Sequence, residues 1–118
     1  MRLTILGNNG PFPAPGGACS GYLVESDSGE TRILLDCGTG VLAHLTQLMP
    51  DIRLDAVVLS HLHYDHMSDM LPMHYYFQFH PLARPLNVLL PGAPAEVRAL
   101  IEDKQFDLWP MRETMIGE

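Results

Sequence analysis

Apolar and β-branched residues dominate positions 2–7 in loose alternation, which predicts a first strand. Positions 8–18 (Asn-Asn-Gly-Pro-Phe-Pro-Ala-Pro-Gly-Gly-Ala) hold three prolines and three glycines, too many to sustain a ladder or a helix, so they form a loop. Two apolar runs at 19–26 and 31–36 flank Asp27-Ser28-Gly29-Glu30, a hairpin signal in which Gly29 is free to take positive φ. The second run ends in Cys37-Gly38-Thr39-Gly40. Val41, Leu42, Leu45, Leu48 and Met49 follow at helical spacing, and Pro50 stops that helix. Residues 55–60 are almost continuously apolar, the pattern of a strand buried on both faces. Residues 67–79 read as a helix with Met67, Met70, Leu71, His74 and Phe77 or Gln78 on one side. Pro72 inside that run either lies in the first turn or kinks the helix. A short strand at 86–90 is broken by Pro91-Gly92, and a helix over 94–106 opens with Pro94 and Glu96. The last dozen residues predict no definite element. The order β, β–β hairpin, α, β, α, β, α is that of an α/β fold with a mixed sheet and helices packed on it.

Composition narrows this to one domain, residues 1–118, large enough to bury about two-thirds of its unfolded surface. A 47% hydrophobic content argues against disorder. The formal net charge is -7, Lys104 is the single lysine, and the arginines are scattered. That disfavours broad, non-specific nucleic-acid binding, which needs a phosphate-neutralising patch. A phosphate-containing substrate remains compatible, because a metal can supply positive charge locally. No apolar run approaches a transmembrane length, and the strand-like N-terminus does not resemble a signal peptide. The expectation is a cytoplasmic protein without membrane contact, with Cys19 and Cys37 as reduced thiols.

The chemistry concentrates in His61-Leu62-His63-Tyr64-Asp65-His66, three imidazoles and one carboxylate in six residues at the end of the buried strand. Neutral imidazole and carboxylate oxygen are both good ligands for zinc and similar divalent ions. His61 and His63 stand two apart, so in an extended segment they project to the same side and can share one metal. Asp65 and His66 follow once the chain turns towards the helix and would address a second position. Two-metal hydrolases hold their ions about 3.5–4 Å apart, which suits a cluster split into pairs. Asp36 ends a strand on the same sheet edge. It is equally suited to orienting a ligand histidine from behind or to forming a turn or helix cap. His44, His74 and His80 read as structural or solvent-facing, the aromatics Tyr75, Tyr76, Phe77 and Phe79 as packing groups, and the loop 8–18 as a pocket border or a plain connector.

The pattern His-x-His-x-Asp-His resembles the signature of the metallo-β-lactamase-fold hydrolases. Asp36-Cys37-Gly38-Thr39-Gly40 resembles the Asp-Cys-Gly segment of their ribonuclease Z-like branch, as does Ser60 before His61. Leu89-Leu90-Pro91-Gly92-Ala93-Pro94 resembles that branch's Gly-Pro loop. The resemblance implies half of an αββα sandwich. His61 and His63 would bind a first metal and Asp65 and His66 a second, with Asp65 also serving as general base or water-orienting group. It implies zinc, sometimes replaced by manganese or iron, and a small phosphodiester or nucleotide-type substrate. A thioester, lactone or β-lactam hydrolase of the same fold is the alternative, as is a metal-binding fragment without turnover. Tyr64 stands where ribonuclease Z commonly has glycine, which weakens a specific transfer-RNA assignment.

Members of that branch are longer, and their later half supplies further metal ligands. No histidine follows His80 here, and each metal position receives only two ligands from the motif. The expectation is therefore an N-terminal half completed by other residues: a missing C-terminal half or a second copy of the chain. A lone half would expose a sheet face, which predicts oligomerisation.

Overall fold

The computed structural model describes residues 1–112 and 114–117. Six strands lie side by side in chain order: β1 (Arg2–Gly7), β2 (Gly21–Glu25), β3 (Arg32–Leu35), β4 (Ala56–Val58), β5 (Leu86–Leu90) and β6 (Phe106–Pro110). The first three are antiparallel neighbours. The β3–β4, β4–β5 and β5–β6 pairs are parallel. Each parallel step needs a crossover, and helices supply them. Helix α1 (Val41–Leu48) joins β3 to β4, and α2 (Tyr64–Met67) with α3 (Met70–Phe79) joins β4 to β5. Helix α4 (Ala95–Arg98), continued by a 3₁₀ turn at Ala99–Ile101, joins β5 to β6. The fold is α/β with a mixed sheet, as the pattern predicted.

The register explains the core. Leu23 faces Leu34, Leu34 faces Val57 and Val57 faces Val88, one row through four strands. All four are fully buried. They form one cluster with Val41 and Leu45 of α1, with Met70, Met73 and Phe77 of α3, and with Val97 and Ile101. Met70, Met73 and Phe77 repeat at helical spacing, so α3 turns a single stripe onto the sheet. The other face carries a second row, Ile5–Tyr22–Leu35–Val58–Leu89–Trp109, through all six strands. Ile5 is 60% and Trp109 42% exposed there.

Three expectations are corrected. The helix read at 67–79 begins earlier, at Tyr64, and is divided between Met67 and Met70. His63, in extended backbone, is its N-cap. Pro72 falls in the first turn of α3, where its missing N–H costs nothing. The helix read at 94–106 is one turn plus a 3₁₀ turn, because Asp103, Lys104 and Gln105 turn the chain back into a strand. That strand, β6, lies partly in the stretch that predicted no element. The hairpin holds as read, with Gly29 at φ +76.

Helix α1 is capped from a distance. Its N-cap is Gly40, which has no side chain to offer. Asp69 supplies the acceptor, taking Gly40 N–H at 3.0 Å and Leu42 N–H at 2.9 Å. Burial raises the Asp69 carboxyl above its usual value, and the hydrogen bonds from Leu42 and Gly40 only partly offset this. With the folded pKa above the unfolded one, the folded state binds more protons between the two, so this contribution to stability falls as pH rises through that window. Asp69→Asn keeps the acceptor and loses the titration. It is expected to be at least as stable as the parent at neutral pH and to lack that decline, measured as the difference in urea midpoint against pH. Asp69→Ala, which leaves both N–H groups unpaired, is expected to cost about 1–2 kcal/mol. An Asn variant that keeps the parent's acid-range decline would contradict this role.

Candidate metal centre

The cluster forms where the parallel strands end. Leu59, fully buried, continues β4 and donates its N–H to Leu89 O at 2.9 Å. Beyond it Leu62 is buried at 3% exposure. Anchoring Leu62 in the core sends its neighbours His61 and His63 to the opposite side, the alternation expected of extended chain. Asp65 and His66 then lie on the single turn of α2. The rings of His61 and His63 meet edge to face at 4.7 Å between centroids, and those of His61 and His66 are 4.0 Å apart.

His66 Nε2 lies 3.5 Å from Asp65 Oδ2. Two donors bound to one tetrahedral zinc, each about 2.0–2.1 Å from it, stand about 3.4 Å apart. The donor set and this spacing fit a divalent ion shared by Asp65 and His66. Among the described residues, no three His, Cys, Asp or Glu side chains are arranged around a single ion. The four residues come together as one cluster in which the His61 ring lies nearer to His66 than to His63.

Behind the imidazoles sits Asp36, at φ +62, a left-handed conformation that aspartate tolerates better than most residues. Its carboxylate is buried and crowded with donors. Oδ2 accepts from His66 Nδ1 at 2.7 Å and from Ser20 Oγ at 3.1 Å. Oδ1 accepts from Ser60 N at 2.8 Å, and Ser60 Oγ lies 2.9 Å from Oδ1 and 3.0 Å from Oδ2. Burial pushes this carboxyl up. The bonds from His66, from Ser60 N–H and hydroxyl, and from Ser20 more than reverse that and hold it below its usual value. Asp36 caps no helix; its contacts face the cluster. Neither Ser20 nor Ser60 was singled out from the sequence for this contact.

Backbone hydrogen bonds weave the same segments together. Cys37 N–H donates to His66 O, Gly38 N–H to Ser20 O, Ser20 N–H to Asp65 O and Asp69 N–H to Cys37 O, all within 3.2 Å. Both cysteines are free and buried, and burial pushes the Cys37 thiol well up, against a nucleophilic role. The loop 8–18 does border the cluster: a Cβ on Gly10 would lie 2.8 Å from Asp65 Oδ2. The other histidines are engaged elsewhere, His44 with Leu6 O, His74 with Leu71 O and His80 with Tyr76 O. A cavity of about 190 Å³ lined by Asn87, Leu89, Trp109 and Arg112 lies on the outer sheet face and includes none of the cluster.

Known proteins share this arrangement of chain. The model of the metallo-beta-lactamase superfamily matches residues 14–115. The probable metallo-hydrolase YhfI of Bacillus subtilis is 47% identical over 75 residues, 64% of this chain and 30% of its own. Ribonuclease Z of Mycobacterium bovis is 35% identical over 101 residues, 82% of this chain and 35% of its own. The crystal structure of YhfI superposes with a TM-score of 0.81 at 33% identity, covering 93% of this chain and 45% of that one. Zinc-bound PqqB of Methylobacterium extorquens shares the fold with a TM-score of 0.67 at 16% identity. The chain spans about a third of the length of the curated relatives it matches.

Gly38 tests how tightly the weave is packed. A Cβ there would meet Asp65 O at 2.0 Å, a backbone atom that cannot swing away. Gly38→Ala is expected to cost about 3 kcal/mol, at the upper end of overpacking, read as a fall in urea midpoint. Gly92→Ala, with open space around its Cβ, is expected to stay within about 0.5 kcal/mol. Equal midpoints for the two variants would show that the loops are not held as described.

Proposed function

The chain belongs to the metallo-beta-lactamase superfamily, and on that footing we propose that it supplies the metal-binding segment of a hydrolase acting on phosphodiesters. The observation that carries the metal reading is the convergence of His61, His63, Asp65 and His66 in front of one buried carboxylate. The similarity to a ribonuclease Z over most of the chain favours phosphodiesters over thioesters, lactones or β-lactams. In this reading His61 and His63 hold one ion and Asp65 and His66 another, with zinc the first choice and manganese or iron as substitutes. Bound divalent ions would make water more acidic and stabilise negative charge on the phosphoryl oxygens. The chain's own groups do the rest. Asp36 keeps the proton of His66 on Nδ1, so Nε2 faces Asp65 as a bare donor. Asp65 serves as general base or orients the attacking water, while the loop carrying Gly10 limits access to that carboxylate.

The relatives' greater length also bears on the outer sheet face. We infer that its apolar row is covered in the whole protein by the remainder of the fold, and that the chain alone covers it with a second copy. Sedimentation is expected to show self-association that Ile5→Lys weakens, since Ile5 is exposed in edge strand β1. A stable monomer would count against this.

For the site, the chain is expected to bind zinc or cobalt, and His63→Ala to weaken binding at least about tenfold. In the protein carrying this segment, hydrolysis of bis(p-nitrophenyl) phosphate should be abolished by chelator and by His63→Ala. Tight metal without any turnover would favour a non-catalytic metal-binding role. Turnover indifferent to His63→Ala would sink the site assignment.

A further inference from the structure

The two donor pairs converge on one carboxylate, and the second connection runs through a hydroxyl. Ser60 Oγ lies 2.9 and 3.0 Å from the two Asp36 oxygens and 3.0 Å from His61 Nδ1. A serine hydroxyl has one proton to give, and an ionised carboxylate can only accept. If Ser60 gave its proton to His61, its lone pairs would face two carboxylate oxygens at contact distance, which is repulsive. The proton therefore goes to Asp36, and His61 Nδ1–H donates to Ser60 Oγ. That assignment leaves His61 Nε2 without a proton.

We propose that Ser60 is a positioning residue that relays the Asp36 carboxylate to His61, fixing that ring and its Nδ1–H tautomer so that Nε2 is free to bind a ligand. Asp36 does the same for His66 directly, at 2.7 Å. One buried carboxylate thereby orients an imidazole in each pair. Ser20, bonded to Asp36 Oδ2 at 3.1 Å from the loop before β2, steadies it from the far side. The geometry stands on the hydrogen bonds alone; only its purpose rests on the metal reading given above.

The fold does not depend on the relay. Ser60 is exposed, and its backbone N–H holds Asp36 Oδ1 whatever the side chain. Ser60→Ala is therefore expected to fold, with a modest fall in urea midpoint for the lost hydroxyl bond to Asp36. Ring-nitrogen NMR of the metal-free chain, above the imidazole titration range, reads the tautomers. His61 is expected to carry its proton on Nδ1 in the parent and in Ser60→Thr, and to lose that preference in Ser60→Ala, with His66 unchanged. Cobalt titration of the same three proteins should show affinity about 10–100-fold weaker for Ser60→Ala and near the parent's for Ser60→Thr. A parent His61 protonated on Nε2 overturns the relay, and this holds even if Ser60→Ala does not fold. A Ser60→Ala variant with unchanged tautomer and cobalt affinity overturns it as well. If the parent takes up no cobalt while the tautomer pattern appears as described, the relay is supported and the metal reading fails.

Discussion

The Asp36 carboxylate is the constraint on which the rest of the site depends. Burying an ionised carboxylate is costly unless its lone pairs are filled. Here they are filled from three directions: Ser20, 16 residues earlier, Ser60, 24 later, and His66, 30 later. Ser20 lies in the connection between β1 and β2, and Ser60 and His66 lie in the one between β4 and β5. Satisfying one charge thus fixes the loop before β2, the loop after β4 and helix α2 relative to one another. The left-handed backbone of Asp36 fits this role, because it turns the side chain at the end of β3 towards the neighbouring strand's loop. The left-handed backbone at one residue is held in place by these charge-assisted hydrogen bonds.

The sheet makes that convergence possible. β3 and β4 are parallel neighbours, so their carboxyl ends lie side by side, where open α/β sheets place their ligands. The Asp36–Gly40 segment and the histidine cluster leave the sheet at the same edge and are stitched by main-chain bonds before any side chain acts. Glycine is needed where the two backbones touch, and Gly38 is the plainest case. Precision at the imidazoles therefore comes from a scaffold that is dry and hydrogen-bonded below them, with Leu62 and Met67 buried on either side of the exposed His63.

Local pattern carried most of the fold. The strands at 2–7, 31–36 and 55–60 were legible because branched apolar residues run between glycine, proline and aspartate breaks. β6 was not, because Phe106–Pro110 mixes aspartate and proline and borrows its strand character from pairing with β5. The start of α2 was hidden by the histidine cluster, which read as extended chain turning towards a later helix while His63 was already the cap. Asp36 left two readings open from sequence; in the fold its carboxylate bonds His66 and Ser60 and caps no helix. Ser20 carried no signal, since a serine after a cysteine is ordinary and its partner is far along the chain.

Two-sidedness in the strands completes the physical picture. A sheet with one wet face alternates apolar inward with polar outward. β1 and β2 do not: Leu6 and Leu23 face the helices, yet Leu3, Ile5, Tyr22 and Val24 occupy the other face. Those outward residues join Leu35, Val58, Leu89 and Trp109 into an apolar surface that the described helices, all packed on the core side, do not reach. Such patterning belongs to a sheet covered on both sides. The relatives' extra length is a source for that cover. The same sheet thus carries the clustered imidazoles at its carboxyl edge and an apolar outer face, so one scaffold sets both the site and the surface that a second layer would cover.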